Sequence, residues 1–166
     1  MAINLGKTDP NFKFEVAEIP GGENITRCFS CGTCTLGCPV SEVDQRYNPR
    51  RIIHMVLLGL KNEVLKSDFI WLCTSCYTCS ERCPQDVLIT DIMTALKNIA
   101  VREGYIHPSY VEQIKALATF DGLYEIGDFD NKKRAKIGLP IIRRKGNAIK
   151  RIMKKTDVLK LGGGEQ

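Results

Sequence analysis

Eight cysteines are the side chains of this 166-residue chain best equipped for chemistry, and all of them fall between positions 28 and 83. They stand in two groups of identical spacing, Cys28-x2-Cys31-x2-Cys34-x3-Cys38-Pro39 and Cys73-x2-Cys76-x2-Cys79-x3-Cys83-Pro84. Each cysteine of the second group follows its counterpart by 45 residues, and the pairs Ser30/Ser75 and Thr33/Thr78 repeat at the same offset. The pattern reads as a duplication of one metal-binding unit, with too few copies for a solenoid.

A [4Fe–4S] cube offers one open coordination position per iron, so it takes four soft thiolates converging from tetrahedral directions. A Cys-x2-Cys-x2-Cys run wraps the backbone around three corners of such a cube. The fourth cysteine, three residues on and followed by proline, is carried away from it. In two-cluster ferredoxins that fourth thiolate ligates the other cluster. Cys28, Cys31, Cys34 and Cys83 are therefore expected to hold one [4Fe–4S] cluster, and Cys73, Cys76, Cys79 and Cys38 the second. Structural zinc is the bland alternative. Zinc sites pair two Cys-x2-Cys knuckles, which would leave the third cysteine of each group surplus. A disulfide framework fits less well, because thiols stay reduced in the cytoplasm.

Two cubes consume all eight thiols, leaving none for thiol–disulfide exchange. The chain has two histidines and no Gly-x-Gly-x-x-Gly turn for a dinucleotide. No catalytic residue is expected on it: it passes electrons, and any conversion of a substrate belongs to another subunit.

The elements that must position these thiols read as mainly α. Asn48-Pro49 is a cap followed by proline at the first helical position, and Ile52, Ile53, Val56, Leu57 and Leu60 then recur at helical spacing. A further helix is expected from Ser67-Asp68, carrying Phe69, Ile70 and Leu72 towards Cys73. After Pro84, Ile89, Ile92, Met93, Leu96, Ile99 and Ala100 form an amphipathic stripe that Gly104 stops. His107-Pro108-Ser109 opens another helix, with Tyr110, Ile114, Leu117 and Ala118 on its buried side. Phe12, Phe14 and Val16 alternate in strand fashion, without an evident partner. Beyond Asn131, glycines and lysines punctuate the chain, and residues 148–161 read as a basic amphipathic helix with Ile149, Ile152 and Met153 on its apolar face.

An apolar fraction of 43% and a charged fraction of 26% suit a soluble globular protein. The opening residues lack the signature of a signal peptide, and the longest apolar stretch, residues 52–60, is too short to span a bilayer. A cytoplasmic location is expected. The net charge of +5 conceals an asymmetry: residues 132–160 carry twelve Lys or Arg against one acid, whereas residues 1–131 carry twelve bases against seventeen acids. That basic segment reads as a docking element for an acidic partner subunit, with a solvated tail close behind. It has no aromatics to serve as a nucleic-acid platform, so no nucleic-acid partner is expected.

Trp71, Phe69, Phe29 and Tyr77 flank the cysteines and could shield the clusters, although core packing accounts for each equally well. His54 and His107 read as structural. Arg50, Arg51 and Arg82 could offset cluster charge or simply be solvated, with the first reading preferred for Arg82.

The run Asn48-Pro49-Arg50-Arg51-Ile52-Ile53, and then Trp71-Leu72-Cys73-Thr74-Ser75-Cys76-Tyr77-Thr78-Cys79-Ser80-Glu81-Arg82-Cys83-Pro84, resembles the C subunit of heterodisulfide reductases. So does Ile92-Met93-Thr94-Ala95-Leu96-Lys97, running on to Gly104. The resemblance covers residues 22–122, which divides the chain into an N-terminal extension (1–21), a ferredoxin domain (22–122) and a basic C-terminal extension (123–166). It implies an alpha-helical ferredoxin with two [4Fe–4S] clusters, in place of the small βαββαβ ferredoxin. It also implies a member of a larger hetero-oligomer, relaying electrons from a flavin-bearing A subunit to a catalytic B subunit. In that family the B subunit carries CCG motifs and reduces a disulfide, in methanogenesis that of coenzyme M with coenzyme B. No CCG motif occurs here. Related modules serve membrane-associated quinone-interacting oxidoreductases, so an iron–sulfur subunit of such an enzyme is the alternative reading.

Overall fold

Asn48 and Pro49 start the helix on which the cysteine-bearing part of the molecule is assembled. The Asn48 side chain accepts a hydrogen bond from the Arg51 amide at 2.9 Å, satisfying one of the free donors of the first turn. Pro49 occupies the first helical position, where no amide is needed. The computed structural model describes residues 6, 8–142 and 148–161. Among them every regular element is helical, and contacts divide the chain into two units, Met1–Tyr105 and Ile106–Gln166. All eight cysteines lie in the first.

The first unit contains α1 (Phe12–Ala17), α2 (Thr33–Leu36), α3 (Pro39–Val43), α4 (Pro49–Leu57), α5 (Lys61–Leu65), α6 (Thr78–Glu81) and α7 (Ile89–Arg102). Short 3-10 turns at Ile25–Arg27 and Phe69–Leu72 lead into the two cysteine runs. The core gathers the apolar faces of α4 (Ile52, Ile53 and Val56) and α7 (Ile92, Met93, Leu96 and Ile99) into one cluster with Phe12, Val16, Ile25, Val64, Leu65 and Ile70, and α1 and α5 pack on both helices. Truncating one of these Ile or Leu side chains to alanine would cost about 2–5 kcal/mol. Cys34, Cys38 and Cys79 are buried in the same hydrophobic cluster, so these three thiols are part of the core.

The helical stripes expected of α4 and α7 are present, and Gly104 follows α7 at φ +83°. Two segments differ from the sequence reading. Phe12 and Val16, four residues apart, are the buried pair of a helix, while Phe14 is mostly exposed. Helical and strand periods are hard to separate over so few residues. The approach to Cys73 is a 3-10 turn with Asp68 at its cap position, and α5 is an additional helix before it.

The second unit contains α8 (Pro108–Phe120), α9 (Asp128–Lys136), α10 (Ala148–Lys155) and α11 (Val158–Leu161). His107 Nδ1 accepts from the Ser109 amide at 3.2 Å and caps α8. Ile114 is buried, but Tyr110 is 37% exposed. Asp130 starts α9 by accepting from the Gly127 amide at 3.1 Å. The single basic helix expected over residues 148–161 is two helices, separated at Asp157, whose φ is +57°. Met153 is its buried apolar residue, whereas Ile152 is mostly exposed.

Candidate metal centre

The sequence duplication extends to the backbone. Each cysteine run leaves a 3-10 turn, and its first cysteine is extended, Cys28 at φ −66°, ψ 116° and Cys73 at φ −62°, ψ 121°. Left-handed residues then follow at matching positions, Ser30 (φ 61°) with Ser75 (φ 55°) and Gly32 (φ 88°) with Tyr77 (φ 63°). These reversals curl the chain between successive cysteines, and each run ends in a one-turn helix, α2 or α6. A left-handed conformation costs an L-residue about 1–2 kcal/mol. Glycine escapes that cost at position 32, whereas Tyr77 bears it, held by the surrounding structure.

Cys28, Cys31, Cys34 and Cys83 line one cavity, together with Gly32, Arg50, Ile53 and Val87. Three of the thiols come from the first run and the fourth from the end of the second. Two bonds fix the Cys83 loop: the Val87 amide donates to Cys83 Sγ at 3.4 Å, and Asn24 Nδ2 donates to the Asp86 carbonyl at 3.0 Å. The other four thiols also gather. Burial pushes the Cys79 thiol up, and Cys73, Cys38 and Cys76 lie near enough for their charges to push it further.

Cys34 and Cys79 are counterparts in the duplication, and they face one another where α2 packs on α6. Burial raises Cys34 to about 11, with Cys28 and Cys79 adding to the shift. Cys31 and Cys76, also counterparts, are exposed. The hydroxyl of Thr33 lies 3.3 Å from Cys31 Sγ and holds that thiol below its usual range. Thr78 does the same for Cys76 at 3.5 Å. Each run therefore has one exposed thiol, with its third cysteine buried, and in the first run Cys38 is buried as well. A buried thiol raised to this extent is neutral at pH 7 unless a metal draws off its proton, as a coordinating metal does outright.

The donors of the first set fit a sulfur-ligated cluster, since among the described residues its cavity is lined by four thiols and by no His, Asp or Glu. Among the described residues, no group of three or more His, Cys, Asp or Glu could hold a single metal ion. His54 is exposed on α4, and His107 caps α8.

Several residues beside the thiols carry no signal in the cysteine pattern. Tyr47, 2% exposed, sits among Cys73, Cys38 and Cys79, and the Cys73 sulfur beside its hydroxyl helps burial to keep it protonated. Thr90 is buried on α7 with its hydroxyl 3.5 Å from Cys79 Sγ, and its amide donates to Ser80 Oγ at 3.1 Å. Thr35 Oγ1 accepts from the Arg50 amide at 3.1 Å and donates to Asn48 at 2.9 Å, tying α2 to the start of α4. In the sequence Tyr47 shows only as a tyrosine just before the Asn48-Pro49 cap.

The three arginines take separate places. Arg50 lies over Gly32, and its charge favours the Cys31 thiolate. Arg82 lies against Gly37, and Arg51 lines a groove outside the thiols. Trp71 and Phe69 are half-buried against the core, whereas Phe29 and Tyr77 are half-exposed.

Residues 24–87 match a family described as a 4Fe-4S dicluster domain. Over 145 residues the chain is 40% identical to the second iron-sulfur C subunit of the CoB–CoM heterodisulfide reductase of Methanocaldococcus jannaschii, covering 83% of this chain and 77% of that protein. It is 35% identical to the corresponding C subunit of Methanopyrus kandleri over 157 residues, covering 88% and 81%. With the C subunit of the H2:CoB-CoM heterodisulfide,ferredoxin reductase of Methanothermobacter thermautotrophicus it shares 38% identity over 118 residues, which is 71% of this chain and 60% of that one. Among the described residues no helix is long and apolar enough to cross a membrane. With its helical fold, doubled cysteine runs and these relatives, the chain belongs to the family of heterodisulfide reductase C subunits, which are iron–sulfur electron-transfer proteins.

Proposed function

We propose that this protein is the electron relay of a heterodisulfide-reductase-type complex. It would carry electrons from a flavin-bearing iron–sulfur A subunit to a B subunit that reduces the disulfide of coenzyme M with coenzyme B, or a related disulfide. The reading rests on one observation above the others: Cys83 of the second run lines the same cavity as Cys28, Cys31 and Cys34 of the first. On this reading those four residues hold one [4Fe–4S] cluster, and Cys73, Cys76, Cys79 and Cys38 hold the other. Each cluster, when bound, supplies reversible one-electron transfer.

The protein's own side chains supply the path and its insulation. Cys34 and Cys79 lie near one another at the α2–α6 contact, which brings the two thiol sets close together. Cys31 and Cys76 lead each set to the surface. Tyr47, Ile53, Val87 and Ile89 wall the thiols off from water. Reduction of a disulfide to two thiols takes two electrons and two protons, so the relay would pass electrons singly and in succession, with the protons taken up where the disulfide is held. The names of the relatives support a place in such a complex.

The test is anaerobic purification of the chain together with A and B subunits from the same source. About eight irons and eight acid-labile sulfides per chain are expected. Reduction of the heterodisulfide by the assembled complex should stop when this chain is omitted and return when it is added back. A complex that reduces the disulfide at full rate without this chain would refute the proposal.

A further inference from the structure

A groove of about 640 Å³ runs from Cys31 and Gly32 along the outer face of α4. Its apolar surface is made by Leu36, Met55, Leu58 and Leu60, and its polar surface includes Arg50, Arg51 and His54. Leu36 is 90% exposed although it stands only two residues from the buried Cys34, and Leu58 is 53% exposed. Among the described residues, no acidic side chain lines the groove. Among the described residues, neither Arg50, Arg51 nor His54 takes part in an ion pair. Arg50, Cys31 and Gly32 line both this groove and the cavity of the first thiol set, so whatever fills the groove touches the edge of that set.

We infer that this groove docks a partner protein, which inserts an apolar side chain flanked by carboxylates beside Cys31. The occupant follows from complementarity. The basic wall calls for carboxylates, and the exposed leucines call for an apolar anchor that a small anion would lack. The chain's own residues 132–160 are the wrong sign, with twelve Lys or Arg against one acid. Positive charge at the rim steers an acidic partner to the groove and raises its association rate by about 10–10³-fold, an advantage that salt removes. Docking there would put the partner's redox group next to the surface thiol of the first set. This inference rests on the electron-relay reading and adds which face of the relay meets a partner.

The experiment uses the anaerobic complex of this chain with heterodisulfide-reductase-type A and B subunits. In the double variant Arg51→Glu/His54→Glu both substituted residues are exposed and outside the thiol cavity. Its iron and sulfide content and its reduction by dithionite should match wild type. Its association with the partner subunits should slow at least tenfold at low salt and match wild type at high salt. In a separate variant, Arg51→Lys, the new amine should be joined by carbodiimide to an Asp or Glu of the A or B subunit. Association unchanged by the double substitution, in a complex that otherwise assembles, would overturn the inference. So would cross-links from the new amine that reach only a second copy of this chain. If the wild-type chain fails to assemble with those subunits at all, the relay reading falls, and this inference falls with it.

Discussion

Arg82 lies against Gly37, its own counterpart 45 residues earlier in the duplicated cysteine unit. A Cβ at position 37 would come 2.6 Å from Arg82 Nη1 and 3.1 Å from its Cδ. The two cysteine runs meet through α2 and α6, so equivalent positions oppose one another across the contact. A side chain at position 37 would have to displace Arg82.

Gly37 has φ −96° and ψ 4°, a conformation open to any residue, so a substitution there acts by crowding alone. Gly37→Leu should destabilise the first unit by about 1–3 kcal/mol. Adding Arg82→Ala should recover most of that loss, a non-additivity expected of residues in contact. Thermal unfolding of the two single variants and the double variant reads it directly. Additive losses would show that the two positions do not compete for the same space.

Cys38→Ser and Cys83→Ser should damage opposite clusters. If ligands are exchanged between the runs, Cys38→Ser perturbs the cluster held mainly by Cys73, Cys76 and Cys79, and Cys83→Ser the one held by Cys28, Cys31 and Cys34. EPR of the reduced protein separates the two signals. Damage by Cys38→Ser confined to the cluster of its own run would reverse the assignment.

Tyr47→Phe keeps the buried ring but removes the hydroxyl beside Cys73. A donor to a cluster sulfur favours the more negative, reduced form, so the potential of that cluster should fall. A hydrogen bond of about 1 kcal/mol, at about 59 mV per tenfold for one electron, predicts a shift on the order of tens of millivolts. Redox titration followed by EPR should find the other cluster unmoved.

Lys61 joins three elements, with Nζ 2.8 Å from Glu15 Oε2 and 3.0 Å from Glu103 Oε1. Its hydrogen bond to Glu15 is the main cause that holds the ammonium form above its usual range. Because the folded state raises that value, the pair stabilises fully below about pH 10.4, where free lysine titrates, and the benefit is lost as pH climbs through the folded value. The site is partly open to solvent, so Lys61→Met should cost about 1 kcal/mol or less, a few degrees in Tm. The difference from wild type should shrink in alkaline buffer and in high salt. A gap that persists once the pH has passed the raised folded value would mean packing, and not charge, is what the lysine contributes.

The chemistry was legible in the sequence because ligand type and ligand spacing are local properties. Eight thiols at a doubled spacing name the metal chemistry, and Asn48-Pro49 and the stripe from Ile89 to Ala100 name two helices, since capping and periodicity act within a turn or two. Where periodicity was short it misled: Phe12, Phe14 and Val16 fit a strand as well as a helix, until Phe12 and Val16 packed together in the core.

Only the tertiary structure decided how the eight thiols differ. Cys34 and Cys79 are buried while Cys31 and Cys76 are exposed, although each pair has the same local sequence pattern around it. Burial comes from α2 packing on α6 and α4 and from α6 packing on α7, contacts between residues that no short window of sequence contains. The same packing brings Tyr47 and Thr90 to the sulfurs, sets Arg50 over Gly32, and leaves Arg51 to the groove outside. Spacing fixes which atoms can bind a metal. The fold decides which of them face water, and through that where electrons can enter and leave.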